Sequence, residues 1–429
     1  MVDVTAGSDS CCTETSATLR ATDLDSAVMQ SPRDACGPDI GVPVFGKQTL
    51  SPPACQFALI VERAQFDGLE AEWNALFERA GRPHQVFQHF NWLWHWANHY
   101  ADREVGLSIV IGRRNSRLVL VWPLVTTRIA GIKKLSWMGE PVSQYGDVLV
   151  DSEEDAIDLL HSSWAYIHSF GADIISLRKI RSDAAVSRLL AETGAVRIAC
   201  SSAPSLDLGS AMDFETYCRR YSAKRRSDLR RHLRRLNEAG SISFEQHKCG
   251  EVAGKLTGHA IALKRAWLTE RGIIFPPLQD SRFERFFGAI ALDRTHSPGT
   301  RISAVRCDGE PIGVEISLQC KGHVFGAIIS HKLEFAKQGA GVVLAEYSIR
   351  TAHECGCVSF DLLPPADRYK MDWADGAIMV ADWAAPLTRA GALYARAWLG
   401  FGRQLVKKAA VALPPWLGRT VAATYYRAT

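Results

Sequence analysis

The chain has 429 residues, of which 47% are hydrophobic and 22% are charged, and its formal net charge is +4. Such a composition is ordinary for a folded globular protein, and the length leaves room for two domains. The net charge is too small to indicate a nucleic-acid-binding protein by itself, and we expect no DNA partner. No apolar run approaches the about 18 residues that a membrane-spanning helix requires.

The eleven cysteines show neither a Cys-x-x-Cys pair nor a Cys/His spacing typical of a metal site. His323, His331 and His353 are not spaced as ligands either, so we expect no metal. The size of the chain and the absence of a disulfide framework favour reduced thiols. Asp3 and the lack of an apolar segment near the N-terminus argue against a secretory signal, so we expect a cytoplasmic protein.

The N-terminal residues 1–55 are rich in Ser, Thr, Ala, Gly, Asp and Pro, which predicts a disordered leader. Order is expected to begin with a strand at 57–62 and a helix at 66–79. An aromatic block follows, in which Trp92 and Trp96 lie four residues apart. This spacing predicts a core helix, and the alternative is that the aromatic cluster forms the wall of a substrate groove.

Residues 56–204 predict a first α/β unit. Its parts are a hairpin of strands at 107–112 and 117–124, extended chain at 135–139, a helix at 153–170 that Gly171 ends, and a strand at 173–179. Each strand is rich in apolar or β-branched residues, and turn residues separate the parts.

A similar order of parts recurs in residues 205–385, which predict a second α/β unit. The expected strands lie at 205–208, 301–306, 312–319, 323–330 and 358–363, and the main helices at 224–236, 251–271, 280–292 and 342–355. Asp308-Gly309 suits a tight hairpin turn because glycine accepts a positive φ without steric cost. The repeated order predicts a duplicated architecture.

A glycine-bearing turn, which contains Gln338, Gly339 and Gly341, precedes the last of these helices. Small residues let an anion approach the backbone closely, and the free N–H groups at a helix start carry a partial positive charge. The turn therefore suits a pyrophosphate group. The alternative is that the glycines serve only the geometry of the turn.

The helix expected at 224–236 is amphipathic and carries a crowded cationic face. Four of its cations, Lys224, Arg225, Arg230 and Arg231, are candidates for binding an anionic substrate or cofactor phosphates. The alternatives are a solvated or acid-paired face, and a nucleic-acid contact. Residues 386–429 form a basic tail, in which 394–411 could be an amphipathic helix that packs on the domains or lies on a membrane surface.

The whole order of parts resembles the GNAT acyltransferase superfamily, and within it the bacterial CelD/BcsL-type acetyltransferases of cellulose or exopolysaccharide synthesis. These are related to the Fem peptidoglycan aminoacyltransferases. The segments that carry the resemblance are Phe87–Leu93, Val121–Leu124, Met138-Gly139 with Tyr145–Asp147, Ser222–Arg231, and Phe360–Leu363 with Tyr369, Lys370 and Trp373.

This resemblance implies tandem GNAT-like domains of the α+β or α/β class, with mixed central sheets flanked by helices. It also implies acetyl-CoA or another acyl-CoA as co-substrate, held at the glycine turn. In such an enzyme Asp361 could orient or deprotonate the acceptor, Tyr369 could protonate the leaving thiolate, and Lys370 could hold a phosphate or the oxyanion. Glu315 is a further candidate base, with a salt-bridge partner as the alternative.

Three functions remain open at this stage. The first is an N- or O-acetyltransferase that acts on a sugar or polysaccharide precursor. The second is a Fem-like aminoacyltransferase that takes aminoacyl-tRNA, which is the only case that implies an RNA partner. The third is a non-catalytic accessory protein of polysaccharide synthesis. We expect a cytoplasmic location, with peripheral contact to the inner face of the membrane or to a synthase complex through the C-terminal tail.

Overall fold

The structure is a computed structural model, and it describes residues 54–294, 298–402 and 405. The leader predicted for residues 1–55 lies outside the described residues except for its last two positions. Most of the basic tail predicted for 386–429 also lies outside them. Within the described ranges, no helix combines the length and the apolar character that crossing a membrane would require.

The described residues form fifteen strands. They are β1 (Gln56–Ile60), β2 (Val105–Leu107), β3 (Ile109–Arg114), β4 (Arg117–Trp122), β5 (Leu124–Ile129), β6 (Ile132–Trp137), β7 (Leu149–Val150), β8 (Ile174–Arg181), β9 (Val196–Asp207), β10 (Ile242–His247), β11 (Gly299–Cys307), β12 (Glu310–Cys320), β13 (His323–His331), β14 (Ser359–Asp361) and β15 (Gly376–Pro386).

The α-helices in the same ranges are α1 (Arg63–Asp67), α2 (Glu70–Ala80), α3 (Phe90–Tyr100), α4 (Ala156–His168), α5 (Ser187–Glu192), α6 (Phe214–Cys218), α7 (Ala223–Ala239), α8 (Glu251–Glu270), α9 (Pro276–Gln279), α10 (Ser281–Leu292), α11 (Ala340–Glu354), α12 (Arg368–Met371) and α13 (Arg389–Tyr394). A π-helical segment, Ala395–Gly402, follows α13.

The strands form two sheets. A small antiparallel sheet has the order β1-β3-β4-β7, and an eleven-stranded sheet has the order β10-β11-β12-β13-β14-β9-β15-β8-β6-β5-β2. The large sheet is mixed because β13 pairs with β14 and β6 pairs with β8 in parallel, whereas the other pairs are antiparallel. Mixed sheets flanked by helices were predicted from the sequence, and this fold class is confirmed.

Both parallel pairs are joined through a long helix. The chain passes from β6 to β8 through α4, and from β13 to β14 through α11. A helix is a common crossover between parallel strands, since such strands cannot be joined by a tight turn. The structure therefore repeats one arrangement in the two halves. The boundary that the sequence suggested near residue 204 stays a prediction, because β9 crosses it.

Two strands join the halves into one sheet. β9 runs for twelve residues and pairs with both β14 and β15, and β15 in turn pairs with β8. The sequence predicted only the last residues of β9, at 205–208, and it did not predict β15. The C-terminal strand of the second half thus lies beside a strand of the first half.

The aromatic block belongs to the core. Trp92 and Trp96 lie on α3 with exposed fractions of 0% and 2%, and Trp92 makes edge contacts with Phe286 and Phe287 of α10. Aromatic pairs in this geometry add to the free energy gained by burial. The core-helix prediction for this segment is confirmed.

Candidate active site

The site is centred on a wedge where β13 and β14 separate. The two parallel strands pair only from His323 to Phe325 on one side and from Ser359 to Asp361 on the other. Beyond Asp361 the chain stays with β9, since Leu362 N donates to Pro204 O. The edge of β13 after Phe325 therefore has no strand partner among the described residues. Helix α11 begins just beyond the end of β13, so its N-terminus lies near the open side of the wedge.

A cleft of about 1180 Å³ includes this wedge. Its wall combines β13 from Gly326 to His331, the segment from Leu363 to Lys370, one face of α7, the first turn of α11 and the apolar surfaces of α8, α9 and α10. The first half of the chain contributes the polar residues Gln144, Arg178 and Lys179 to the wall. Strand β15 contributes Asp382. Clefts of this kind, with several convergent polar groups, are the usual location of a binding site.

The glycine turn predicted from the sequence lines this cleft through Gly339 and Gly341. Gly339 has φ +88° and a Cβ there would lie 2.2 Å from Nδ1 of His232, whereas a Cβ on Gly341 would lie 2.8 Å from Nδ1 of His331. Both glycines are therefore required by close contact with an imidazole ring. The Gln338 carbonyl lies 3.1 Å from His232 Nδ1, which can donate to it.

One face of α7 forms part of the cleft, and it consists of Arg225, Asp228, Leu229 and His232. The Arg225 guanidinium lies 4.2 Å from the ring centre of Trp373 and 4.7 Å from that of Tyr221, and its buried Nε has no hydrogen-bond partner among the described residues. Two aromatic rings thus hold a cation at the cleft wall.

The other predicted cations of α7 lie elsewhere. Lys224, Arg230 and Arg231 are exposed and do not line the cleft, and Arg231 forms an ion pair of 2.9 Å with Asp228. Of the four cations that the sequence grouped together, the helix therefore places only Arg225 on the face that lines the cleft. Side chains three or four residues apart share a face of a helix, whereas side chains one or two residues apart do not.

Tyr369 and Lys370 both line the cleft. Burial, together with Asp367 and Glu315, raises the pKa of Tyr369 to about 12, although 48% of the residue remains exposed. Burial also lowers the pKa of Lys370 to about 8. Lys370 Nζ donates to the carbonyl oxygen of Leu363 at 2.8 Å, which fixes the ammonium beside the wedge.

Asp361 is buried behind the wedge and is saturated with hydrogen bonds. Tyr145 OH donates to it at 2.9 Å, Arg181 Nη1 at 3.0 Å and the Leu363 N–H at 2.8 Å. Burial raises the pKa of Asp361, and the Leu363 N–H and Arg181 oppose this change. The arrangement fits an anchor that holds Leu363 in its unusual positive φ of 59° better than a freely accepting base.

Glu315 lies on β12 and is only 4% exposed. Its Oε2 has no hydrogen-bond partner in the described part of the chain. Burial raises its pKa to about 7, against the lowering effects of Ser348 and Arg301. A Cβ on Gly326 would lie 3.2 Å from Glu315 Oε1, so this carboxyl group lies against Gly326, a residue of the cleft wall, in the space that a side chain there would need.

Further cations of the cleft were not among the predicted site residues. Lys264 on α8 lies 3.4 Å from the Ile329 carbonyl oxygen, and burial lowers its pKa. Lys179 on β8 donates to Ser143 O and Gln144 Oε1, and burial lowers its pKa to about 8. The sequence contains only a weak indication that Lys264 is a site residue: it is a cation three residues before Trp267 on an apolar helix. The sequence contains no indication that Lys179 is a site residue, since it comes from the other half of the chain.

The described residues contain no group of three or more His, Cys, Asp or Glu side chains that could hold a metal ion. What they do provide is a cleft with several cations, a buried carboxyl group of raised pKa and a helix N-terminus. This set of groups suits the binding of an anionic substrate and a proton transfer.

Comparison with known proteins finds a similarity in the segment that contains the wedge. Residues 223–371 match the sequence model of a family described as Acetyltransferase (GNAT) domain. The matched segment contains α7, the wedge, the glycine turn and Tyr369 and Lys370. This segment is therefore similar to a GNAT acetyltransferase domain. No curated protein matches the chain.

Among solved structures, FemX has a TM-score of 0.54 at 10% sequence identity, over 79% of this chain and 98% of FemX. This likeness shows that the fold is shared. L-PGS from Bacillus licheniformis gives a TM-score of 0.48 at 12% identity, over 76% of this chain and 95% of that one. A tandem GNAT protein from the clavulanic acid biosynthesis pathway gives 0.45 at 14% identity, over 78% and 99%.

Proposed function

We propose that the protein transfers an acyl group from an acyl-CoA to an amine or hydroxyl group of a sugar or an exopolysaccharide or cell-envelope precursor. The observation that carries this proposal is the cationic cleft at the wedge between β13 and β14, next to the N-terminus of α11 and within the matched GNAT domain. A phosphate-bearing donor complements these cations, and an extended amide-containing arm complements the unpaired edge of β13.

The phosphates of the donor are assigned to the glycine turn and the cations around it. Gln338, Gly339 and Gly341 lead into the first turn of α11, whose N–H groups and dipole favour an anion. His232 and His331 pack on the two glycines and also line the cleft, and the single N–H of a neutral His331 ring adds one further donor. Arg225 supplies a guanidinium that the rings of Tyr221 and Trp373 already orient.

The proposed chemistry is direct acyl transfer. Glu315 accepts the proton of the acceptor amine or hydroxyl group as that atom attacks the thioester carbonyl carbon. Lys370 stabilises the negative charge that develops on the carbonyl oxygen. The carbon–sulfur bond then breaks, and Tyr369 donates its hydroxyl proton to the departing sulfur. In this scheme Asp361 positions Lys370, because it fixes Leu363, whose carbonyl oxygen holds the Lys370 ammonium.

The acceptor is assigned to the polar end of the cleft, which the first half of the chain and β15 supply. Gln144 and Lys179 lie there, and Lys179 is held by the Ser143 carbonyl oxygen and the Gln144 side chain. Amide and ammonium groups at fixed positions suit the hydroxyl and carboxylate groups of a sugar derivative. The sequence resemblance to CelD/BcsL-type acetyltransferases supports this class of acceptor, and a cytoplasmic location with peripheral membrane contact through the tail remains part of the proposal.

A second candidate is a Fem-like aminoacyltransferase that uses aminoacyl-tRNA. Two observations favour it: the fold is shared with FemX, and Lys224, Arg230 and Arg231 form an exposed cationic surface outside the cleft. RNA binding through that surface would weaken steeply with salt concentration. A role without catalysis in polysaccharide synthesis would apply if neither donor binds.

Isothermal titration of the protein with CoA and acetyl-CoA tests the proposal. Wild type is expected to bind, and Arg225→Gln is expected to lose about 10- to 100-fold in affinity, because a charge-assisted hydrogen bond contributes about 1.5–3 kcal/mol. Arg230→Gln is the matched control on the outer face of α7 and should bind as wild type does. Loss of aminoacyl-tRNA binding in Arg230→Gln, with no CoA binding by wild type, would favour the second candidate instead.

The pH dependence of donor binding tests Lys370. Since burial lowers its pKa to about 8, the positive charge is lost as the pH rises through 8, and the affinity for CoA or the rate of transfer should fall there. Lys370→Arg keeps its charge above pH 10 and should remove this fall. An unchanged alkaline fall in the Arg variant would show that another group is responsible, and Lys179 would be examined next.

A further inference from the structure

The cleft continues beyond the wedge into a chamber with mostly apolar walls. This chamber is bounded by α8, the turn after it, α9 and α10, and its apolar wall residues are Trp267, Leu268, Ile273, Phe275, Leu278, Phe283 and Phe287. Arg271 also lies there, with its guanidinium 4.4 Å from the ring centre of Trp267. No carboxylate of α8, α9 or α10 is among the described cleft residues.

The chamber is continuous with the wedge. Helix α8 packs directly on β13, because Ser330 Oγ donates to the Ala260 carbonyl oxygen at 2.8 Å and Lys264 Nζ lies 3.4 Å from Ile329 O. Ile328 and Ile329 line the same cleft on the strand side. An acyl carbonyl group placed at the wedge therefore shares one cleft with the apolar residues of α8, α9 and α10.

The outer end of the chamber exposes large apolar side chains to solvent. Ile273 is 46% exposed and Phe275 is 43% exposed, whereas Leu278, Phe283 and Phe287 deeper in the wall are 3–5% exposed. Exposed apolar residues that continue a buried apolar wall suit contact with an apolar ligand. An acetyl group has only one methyl group beyond its carbonyl, so it would fill the wedge and leave this wall uncovered.

We propose that the chamber holds the hydrocarbon chain of the donor, so that the protein uses a long-chain acyl-CoA. This inference rests on the proposed acyl-CoA function and specifies its donor. Charge complementarity assigns the hydrocarbon chain to the donor: the cations Arg225 and Lys370 belong to α7 and to the segment after β14, in the part of the cleft assigned to the phosphates, whereas α9 and α10 contribute only apolar residues to its wall. One molecule with an anionic end and a hydrocarbon end matches both regions.

The test is isothermal titration of the whole chain with CoA, acetyl-CoA, octanoyl-CoA and dodecanoyl-CoA, each below its micellar concentration. Burial of one methylene group corresponds to about a fourfold gain in affinity. We therefore expect dodecanoyl-CoA to bind at least about 100-fold more tightly than acetyl-CoA, even if only part of the chain is buried. Equal affinities for the two would overturn the inference and leave the acyl-CoA function intact, whereas no binding of any of the four would contradict the proposed function itself.

Two variants at the exposed end of the chamber localise the effect. Ile273→Asp and Phe275→Asp should each reduce the affinity for dodecanoyl-CoA about 10-fold or more, with acetyl-CoA binding unchanged, and both sites are exposed enough for the variants to fold. Val61→Asp is the matched control, since Val61 is 48% exposed and lies outside the cleft. If dodecyl maltoside binds together with acetyl-CoA, and both variants weaken the binding of the maltoside, the chamber holds a hydrocarbon chain of the acceptor. The assignment of the chamber to the donor is then overturned.

Discussion

Glu315→Gln is expected to lower the turnover of acyl transfer by about 10²- to 10⁴-fold, the range by which a positioned general base accelerates a reaction. The carboxyl group is buried, its Oε2 has no hydrogen-bond partner in the described ranges, and its Oε1 lies against Gly326 of the cleft wall. Its pKa is raised to about 7. Turnover of wild type should therefore rise with pH through about 7, and the Gln variant should lose this rise. Steady-state kinetics from pH 5.5 to 9 measures both.

A stability measurement shows whether the Gln variant is folded. A carboxyl group whose pKa is raised in the folded state opposes folding once it ionises, so its burial costs free energy as the pH rises from about 4.5 to 7. A shift of this size corresponds to roughly 3 kcal/mol. Glu315→Gln removes the cost, and its free energy of unfolding at pH 8 should equal or exceed that of wild type. An inactive and destabilised variant would indicate a structural role.

Gly326→Ala offers a second variant that keeps the carboxyl group. Its added methyl group would lie 3.2 Å from Glu315 Oε1 and 3.1 Å from the Phe360 ring, so it would displace the carboxyl group from its present position. We expect slower transfer with CoA affinity within about threefold of wild type. Normal turnover in this variant would contradict the assignment of Glu315 as the base.

Asp361→Ala is expected to lower the free energy of unfolding by about 3–5 kcal/mol, the cost of breaking a buried ion pair. The change removes the acceptor of three buried donors, on Tyr145, Arg181 and Leu363. It also releases the backbone that positions Lys370. Chemical denaturation measures the effect, and Asp67→Ala is the matched control, since its ion pair with Arg63 lies at the surface and contributes little.

Asp361→Asn separates the two roles that the sequence allowed for this residue. The amide keeps the side-chain volume and accepts hydrogen bonds through one oxygen, so part of the stability should return. If Asp361 is a positioning residue, transfer by the Asn variant should keep the rise of turnover through pH 7 that Glu315 causes. Full stability combined with loss of that pH dependence would instead make Asp361 the base.

Local elements were predictable where their signals lie close together in the chain. The hairpin between β11 and β12 was predicted from Asp308-Gly309, and these residues form a two-residue turn with φ of 50° and 83°. Helix α7 was predicted from the spacing of its leucines and its cations, and Ser222 caps it by accepting from the Arg225 N–H. Short-range preferences and periodicity are enough for such elements.

The sequence predicted only some of the residues that form the site. Gly339, Gly341, Tyr369, Lys370 and Arg225 were singled out, and the structure brings them to one cleft. Arg230 and Arg231 were grouped with Arg225 because they are close in the chain, but the turn of the helix places them on another face. His232 was not singled out as a site residue, since a lone histidine among arginines carries no signal until the helix packs on the turn.

The sequence by itself determined most of the local elements, the order of parts that repeats in the two halves and the glycine turn before α11, and its resemblance to a known superfamily implied the mixed sheets with flanking helices. Only the tertiary structure decided that β15 lies between β8 and β9, that Glu315 is buried behind Gly326, and that Lys179 from the first half reaches a cleft in the second. The reason is that these features depend on contacts between residues far apart in the chain. Periodicity and turn preferences describe a residue's neighbours along the chain, whereas burial, pKa and access depend on its neighbours in space.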